Sequence, residues 1–217
     1  MITCPNCGEL NQNQINIYSE KLRKQTFSFS PILPTCTYCG AEVEIEVAVN
    51  NTYADSNIIV LNGTCGSGKS TVAEILAGKG YIVIDGDCVI QSVKYKKNIK
   101  NVDFNEMADE ITCELDILSM FGNKFVLSSV ILPEDLDKYI KIFKSRNLNY
   151  MFFLLKPDYK TAVERCQSRT CHTSITPEYW IKYFYDLLEF DDRVIILDNT
   201  NMTVEETADY ILNFSSI

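Results

Sequence analysis

The feature that most constrains the fold of this chain is a glycine-rich segment, residues 63–71, that stands between an apolar run and an amphipathic pattern. It reads Gly-Thr-Cys-Gly-Ser-Gly-Lys-Ser-Thr and matches the spacing G-x-x-x-x-G-K-[ST]. Residues 58–61 before it are all apolar, as in a covered strand, and Val72, Ile75 and Leu76 after it share one face of a helix. A strand, a glycine-rich turn and a helix in this order predict an α/β domain with an anion-binding turn.

We call residues 63–71 the phosphate loop, because the spacing predicts a loop whose backbone N–H groups converge on phosphate oxygens. Lys69 is predicted to reach the β- and γ-phosphates of a nucleoside triphosphate, and the Ser70 hydroxyl to ligate Mg²⁺. The predicted nucleotide-binding residues are Gly63, Thr64, Cys65, Gly66, Ser67, Gly68, Lys69, Ser70 and Thr71. The alternative, a glycine turn with a purely structural role, would not require every fixed position of the motif.

From residue 57 onward, apolar runs typical of parallel strands alternate with helical patterns. The predicted strands cover residues 57–62, 81–85, 124–132, 150–155 and 193–197. The spacing of Trp180, Phe184, Leu187 and Leu188 predicts that they share one face of a helix between the last two strands. These patterns predict an α/β domain, residues 57–217, built on a doubly wound five-stranded parallel sheet.

Two carboxylates follow the second predicted strand, in the order Asp85-Gly86-Asp87. Because the carboxyl ends of parallel strands share one edge of a sheet, we expect both carboxylates to face the phosphate loop. One of them could accept the proton of a substrate hydroxyl while the other helps to organise Mg²⁺. The third strand has no carboxylate, whereas motor ATPases and GTPases usually hold Mg²⁺ with an Asp at the end of a later strand. An ordinary Asp-Gly turn is the alternative interpretation of these residues.

With these motifs, residues 57–217 resemble the small-molecule kinases of the P-loop superfamily, such as gluconate, shikimate, adenylylsulfate and nucleoside kinases. The resemblance implies ATP and Mg²⁺ as cofactors, and it implies that Asp85 and Asp87 bind or deprotonate the acceptor. The sequence Arg165-Cys-Gln-Ser-Arg169 looks like the arginine pair that opens a mobile lid in those enzymes. By that analogy Arg165 lies against the adenine and Arg169 meets the transferring phosphate, and the loop at residues 198–201 borders the adenine. A solvated helix end with two arginines is the alternative.

The predicted activity is therefore that of an ATP-dependent kinase that phosphorylates a hydroxyl or phosphate of a small-molecule acceptor, most plausibly a nucleoside or nucleotide. A group of lysines after the second strand would suit an anionic acceptor, although a solvated helix face explains it more simply. These lysines are Lys94, Lys96, Lys97 and Lys100. Two other functions stay open: a polynucleotide end kinase, and a non-catalytic protein whose interactions are gated by nucleotide binding.

Residues 1–50 have the pattern of a separate small β module, a zinc ribbon. Two C-x₂-C pairs, Cys4 with Cys7 and Cys36 with Cys39, are separated by 28 residues, and each pair is followed by glycine. Two such pairs predict a tetrahedral Cys₄ zinc site of structural type, with redox use of the thiols as the competing interpretation. Alternating or β-rich segments at residues 14–19, 25–30 and 42–49 predict a small antiparallel sheet around it.

Charge and cysteine usage limit the partners and the compartment. The chain carries a formal net charge of −9, and residues 1–57 contain three basic and six acidic side chains, so nucleic-acid binding is disfavoured. The ribbon is more plausibly a contact for a protein partner or for a second copy of the chain. Nine cysteines, an odd number, together with no apolar N-terminal stretch, predict a cytoplasmic protein that has reduced thiols and no membrane span. His172 is the single histidine, so acid–base chemistry must fall on carboxylates.

Overall fold

The computed structural model describes residues 56–98, 100–168 and 176–215 and, nearer the N-terminus, residues 2–4, 6, 8–9, 39, 41 and 44–45. Several residues named above lie outside this part of the chain: the cysteines Cys7 and Cys36, the second arginine Arg169, the lone His172, and the predicted strands at 14–19 and 25–30.

The described elements alternate between strands and helices from residue 57 onward. The strands are β1 (Ile2–Cys4), β2 (Gly8–Glu9), β3 (Glu44–Ile45), β4 (Asn57–Asn62), β5 (Ile82–Asp85), β6 (Lys124–Ser128), β7 (Asn149–Leu155) and β8 (Val194–Leu197). The helices are α1 (Lys69–Gly78), α2 (Gly86–Lys97), α3 (Phe104–Leu118), α4 (Leu136–Ser145), α5 (Tyr159–Ser168), α6 (Glu178–Leu187) and α7 (Val204–Ser215), with a short 3₁₀ turn at Pro133–Asp135 before α4.

Strands β4 to β8 form one parallel sheet in the order β5-β6-β4-β7-β8. Both faces of the central strand are buried: Ile58 and Val60 belong to one core cluster, and Ile59 and Leu61 belong to another. Helices α2, α3 and α4 cover the first face, and α1 and α7 cover the second. The predicted doubly wound five-stranded parallel sheet is confirmed.

Strand β6 is shorter than the predicted strand 124–132, because it leaves the sheet after Ser128. The neighbouring strand β4 ends at Asn62, and the buried side chain of this residue makes the next hydrogen bonds in place of the strand backbone. Asn62 Nδ2 donates to the carbonyl of Ile131 at 2.7 Å, and its Oδ1 accepts from Ile131 N at 3.1 Å. Ser129 N still donates to the Leu61 carbonyl at 3.1 Å, whereas Ile131 is held by the Asn62 side chain rather than by a neighbouring backbone.

The predicted face of α6 is confirmed at Phe184 and Leu188, which pack on the core beneath the sheet, but not at Trp180. Trp180 keeps 44% of its surface exposed, whereas its neighbour Ile181 is fully buried. Ile181 packs with Ala162 and Cys166 of α5, so the contact between the two helices begins the buried face at Ile181 rather than at Trp180. Trp180 stacks on Phe184, with ring centroids 6.0 Å apart.

Near the N-terminus, β1 pairs antiparallel with both β2 and β3. Cys4 of the first C-x₂-C pair lies opposite Gly8 in this pairing, and Asn6 between them is in a turn. The Asn6 side-chain amide in this turn donates to Cys39 Sγ of the second pair at 3.8 Å. The sequence predicted an antiparallel sheet here but not strands β1 and β2.

In the part of the chain that the structure describes, the longest apolar helix still falls short of what crossing a bilayer requires.

Candidate nucleotide and acceptor site

The predicted site residues gather at the carboxyl edge of the parallel sheet. The phosphate loop joins the end of β4 to α1, and Asp85 ends the strand two places away in the sheet. The strand between them, β6, ends at Ser128, which lies opposite both Leu61 and Asp85 in the register. Ligands of open α/β sheets bind at this edge, so the topology alone brings the loop and the carboxylate together.

The N-terminus of α1 is open to an anion. Its N-cap residue, Gly68, is in the left-handed region with φ 97°, and it has no side chain to cap the helix. The first hydrogen bond of the helix runs from Val72 N to the Gly68 carbonyl at 2.9 Å. The N–H groups of Ser70 and Thr71 therefore have no carbonyl to bond within α1, and they add to the partial positive charge of the helix end.

Lys69 folds back across the phosphate loop. Its ammonium donates to the carbonyl of Gly63 at 2.6 Å and to that of Thr64 at 3.0 Å. Burial raises the pKa of Asp85, and the positive charge of Lys69 partly opposes that rise because it favours the ionised carboxylate. A cation is thus held at the mouth of a loop whose helix end already favours an anion.

Two helices from later in the chain fix the shape of the phosphate loop. Gly66 has φ 80°, and a Cβ placed on it would lie 1.9 Å from the carbonyl oxygen of Ala162 in α5. A side chain larger than hydrogen therefore cannot enter without moving that helix. The Thr64 hydroxyl donates to the carbonyl of Ile181 in α6 at 3.2 Å. The sequence predicted glycine here for loop curvature and did not reveal this close helix contact.

Asp85 ends β5 and caps α2. Its Oδ1 accepts from Asp87 N at 2.9 Å and from Cys88 N at 3.1 Å. Burial raises the pKa of Asp85, and the charge of Asp87 adds to the rise, while the two backbone bonds and Lys69 oppose it. The carboxylate is thus partly desolvated, next to a cation, and oriented by a helix end.

The Asp-Gly-Asp sequence is a strand end followed by the first turn of α2, rather than an isolated turn. Asp87 lies exposed in that first turn. A Cβ on Gly86 would lie 2.5 Å from Ser129 Oγ and 2.9 Å from Met107 Cε, so glycine is required here by close approach. Ser128 and Ser129, both 4% exposed, bring hydroxyl groups to the site that sequence analysis did not identify.

Cys88 is a second residue that the sequence did not single out. Burial raises the pKa of its thiol to about 12, helped by the charge of Asp85, a hydrogen bond with that carboxylate, and the charges of Asp87 and Glu114. The thiol is therefore neutral near pH 7 and cannot serve as a thiolate nucleophile. The half-buried residue lies next to Asp85, a proximity in space that no sequence motif could have revealed.

Arg165 reaches the loop that follows β8. One of its guanidinium nitrogens, NH2, donates to the carbonyl of Asn199 at 3.0 Å and to that of Thr200 at 3.1 Å. Asn199 in turn donates from Nδ2 to the carbonyl of Ser67 in the phosphate loop at 3.0 Å. The structure therefore brings Arg165 beside the loop at residues 198–201 and joins that loop to the phosphate loop. Arg169 lies outside the described residues.

The lysines after the second strand lie away from the strand tip. Lys97 is the last residue of α2, about 16 Å along the helix axis from Gly86 at a rise of about 1.5 Å per residue. Its ammonium pairs with Glu106 at 3.0 Å, and Lys100 is exposed beyond the helix. These positions favour a solvated surface over the lining of an acceptor pocket.

Comparison with known proteins agrees with this geometry. No family model matches the chain. A dephospho-CoA kinase from Fusobacterium nucleatum is 36% identical over 69 residues, which are 32% of this chain and 28% of that kinase. The chain thus aligns with less than a third of the length of this curated relative.

Solved structures match over most of the chain. A gluconokinase from Sinorhizobium meliloti is 24% identical, with a TM-score of 0.54, and the match covers 72% of this chain and 90% of the gluconokinase. A sugar kinase from Janibacter has 18% identity and a TM-score of 0.56, covering 75% of this chain and 95% of that kinase. The tunicamycin resistance protein of Deinococcus radiodurans has 19% identity and a TM-score of 0.57, covering 75% and 96%. Sequence motif, sheet order and these matches show together that the chain has the α/β fold of P-loop small-molecule kinases.

Proposed function

We propose that this chain is an ATP-dependent phosphotransferase that acts on a hydroxyl group of a small metabolite. One observation carries the proposal: the open N-terminus of α1 and the ammonium of Lys69 lie at the same edge of the sheet as the half-buried carboxylate of Asp85. The first two attract a polyphosphate, and the third can accept a proton from an attacking hydroxyl. The sequence similarity to a dephospho-CoA kinase and the kinase fold support the same reaction class.

In the proposed reaction the acceptor hydroxyl oxygen attacks the γ-phosphorus of ATP. A bond from that oxygen to phosphorus forms, the bond from phosphorus to the β,γ-bridging oxygen breaks, and ADP leaves with the bonding electrons. The hydroxyl proton passes to Asp85, whose raised pKa makes it a better base than an ordinary Asp. Lys69 stabilises the charge on the transferring group, and Arg165, held at the loop after β8, lies along the nucleotide base.

The residues at this edge also fit Mg²⁺, which prefers oxygen ligands. Ser70 brings a hydroxyl group to the first turn of α1, and Asp87 brings an exposed carboxylate to the first turn of α2. When bound, Mg²⁺ neutralises phosphate charge and orients the γ-phosphate. We assign Ser70 as its protein ligand and Asp87 as the group that organises its surroundings.

The acceptor remains a hydroxylated small molecule, with a nucleoside or nucleotide as the leading candidate. The net charge of −9 does not favour a polynucleotide, and the paired carboxylates after β5 argue against a protein that only binds ATP.

The test is a thermal-shift screen of nucleosides, sugars and their phosphates, with a non-hydrolysable ATP analogue and Mg²⁺ present. We expect the analogue to raise the Tm, and one class of acceptor to raise it further by binding the same folded state. That acceptor, supplied with ATP, should yield ADP and phosphorylated product in equal amounts. Absence of any magnesium–nucleotide binding in calorimetry would contradict the proposal.

We further propose that residues 1–50 form a zinc ribbon of structural type in a reducing compartment such as the cytoplasm. Two observations support it: Cys4 of the first C-x₂-C pair lies opposite Gly8 where β1 pairs with β2, and Asn6 of the turn between these strands donates to Cys39 Sγ of the second pair. Cys4, Cys7, Cys36 and Cys39 would supply the four thiolates of Zn²⁺. The ribbon would then offer a surface to a protein partner or to a second copy of the chain.

Zinc binding is testable on the full chain. We expect purified protein to hold one zinc per chain by elemental analysis, and Cys39→Ser to remove it. Because structural zinc contributes on the order of 10 kcal/mol to the folding of such modules, the variant should also show rapid proteolysis of residues 1–50. Cys113→Ser, which alters an exposed cysteine of α3, is the matched control and should retain zinc. Full zinc occupancy in Cys39→Ser would refute the assignment.

A further inference from the structure

Asn199 has a position that neither the phosphate motif nor the carboxylates explain. It follows β8 by two residues and is 3% exposed. Its side-chain Nδ2 donates to the carbonyl oxygen of Ser67 at 3.0 Å, across 132 residues of sequence. The contact is therefore a tertiary hydrogen bond to the backbone of the phosphate loop itself.

This hydrogen bond sets the orientation of one peptide group. In a planar trans peptide the carbonyl and the next N–H point in opposite directions. The Ser67 carbonyl points toward Asn199, so the Gly68 N–H points to the opposite side of the loop, away from Asn199. A Cβ on Gly68 would lie 3.6 Å from Nδ2, so the Asn199 amide also covers the outer side of that residue.

The other polar atoms of Asn199 indicate that the donor is what matters. Its Oδ1 is buried and has no hydrogen-bond partner among the described residues. Buried polar atoms of this kind are uncommon and call for an explanation. Turning the amide over would place Oδ1 against the Ser67 carbonyl, oxygen against oxygen. The observed orientation thus retains the donor to Ser67 at the expense of an unsatisfied acceptor.

The main chain of Asn199 makes a second connection, because its carbonyl accepts from Arg165 of α5 at 3.0 Å. One buried residue therefore joins the phosphate loop, the loop after β8 and the arginine that we assign to the nucleotide base. No other residue of the described chain is shown to contact both Ser67 and Arg165 by hydrogen bonds.

We propose that Asn199 is a positioning residue, which holds the Ser67–Gly68 peptide so that its N–H faces the bound phosphates. The inference rests on the proposed nucleotide binding and adds to it a residue from outside the motif. Asn199 touches the protein backbone and not the reacting atoms, so its effect should appear in the affinity for the polyphosphate.

The test compares Asn199→Asp with wild type. The carboxylate has the same shape but cannot donate, so it faces the Ser67 carbonyl with an oxygen. We expect the Kd for magnesium–ATP to rise by about tenfold or more, and the Kd for inorganic tripolyphosphate to rise by the same factor. The KM of the acceptor should stay within about twofold. Asn149→Asp, at the opposite edge of the sheet, makes the same change in an exposed residue and should alter neither Kd.

Asn199→Ala provides a second variant that introduces no charge, and it should weaken tripolyphosphate binding in the same direction. Two results would overturn the inference: unchanged tripolyphosphate binding in both variants, or a loss confined to ATP, which would assign Asn199 to the base alone. If wild type itself binds neither ligand, the proposed function fails together with this inference. Failure of the variants against a binding wild type removes only the role of Asn199.

Discussion

Lys69→Ala is expected to lower kcat/KM for phosphoryl transfer by about a thousandfold or more. The ammonium is the one phosphate-loop side chain that carries a full positive charge, and it lies at the mouth of the loop on the carbonyls of Gly63 and Thr64. A preorganised cation that meets the charge of the transferring group is worth roughly 10²–10³ in rate, and the loss of ground-state phosphate binding adds to it. The measurement is steady-state kinetics with the acceptor found in the screen.

Lys79→Ala is the matched control for this prediction. Lys79 is the C-cap of the same helix, α1, and pairs with Asp209 of α7 on the surface. Exposed pairs of this kind contribute little to stability, so the variant should keep wild-type kinetics. A Lys69→Ala enzyme that retained more than about a tenth of wild-type kcat/KM would contradict the assignment of the phosphate loop.

Asp85→Asn is expected to lower kcat by roughly 10²–10⁴, the range for loss of a general base, while leaving the Kd of magnesium–ATP within a few-fold. The change is unusually clean because asparagine is also a good N-cap. Its side-chain oxygen can still accept from Asp87 N and Cys88 N, so α2 keeps its cap while the site loses a negative charge. Kinetics and calorimetry on the same preparation separate the two effects.

The same variant should be more stable than wild type at pH 7. Burial raises the pKa of Asp85, so the folded protein binds this proton more tightly than the unfolded chain does. The free energy of unfolding therefore falls as pH rises from the ordinary Asp value, about 3.9, through the raised value, and stays lower above it. Asp85→Asn removes that loss, so its Tm should exceed that of wild type at pH 7, and the difference should vanish below about pH 4.

Asp103→Asn supplies the control for both parts of this prediction. Asp103 is likewise the N-cap of a helix, α3, where it accepts from Glu106 N, and it is exposed. In Asp103→Asn we expect the activity and the pH dependence of Tm to be the same as in wild type. Activity that persists in Asp85→Asn would remove the proton-acceptor role, and a lower Tm at pH 7 would show that the buried charge is not a net cost.

The sequence was sufficient for the sheet and for the phosphate loop because both depend on local patterns. The inner strands of the parallel sheet are covered on two faces, so their central residues are apolar, as in β4 and β7. The loop is set by fixed glycine and lysine spacing. The position of Asp85 follows from topology, since the ends of parallel strands meet at one edge.

What the sequence could not predict depends on contacts between distant segments. The Asn62 side chain takes over from the backbone where β6 ends, and α5 decides that Ile181 rather than Trp180 is buried in α6. The packing of neighbouring elements brings three further residues to the site, namely Ser128, Ser129 and Cys88. Asn199 belongs to the same class, because only the folded chain shows which backbone carbonyl its amide meets.

The approach of α5 to Gly66 has a consequence for how this architecture can be recombined. The carbonyl of Ala162 in α5 lies where a Cβ of Gly66 would stand, so the helix and the backbone of residues 63–71 fit together without spare room. An α5 taken from another protein of this fold would bring its carbonyl to a different position and would press on the glycine from outside. The loop and the helix must therefore be transplanted as a pair in any chimera, although almost a hundred residues of chain separate them.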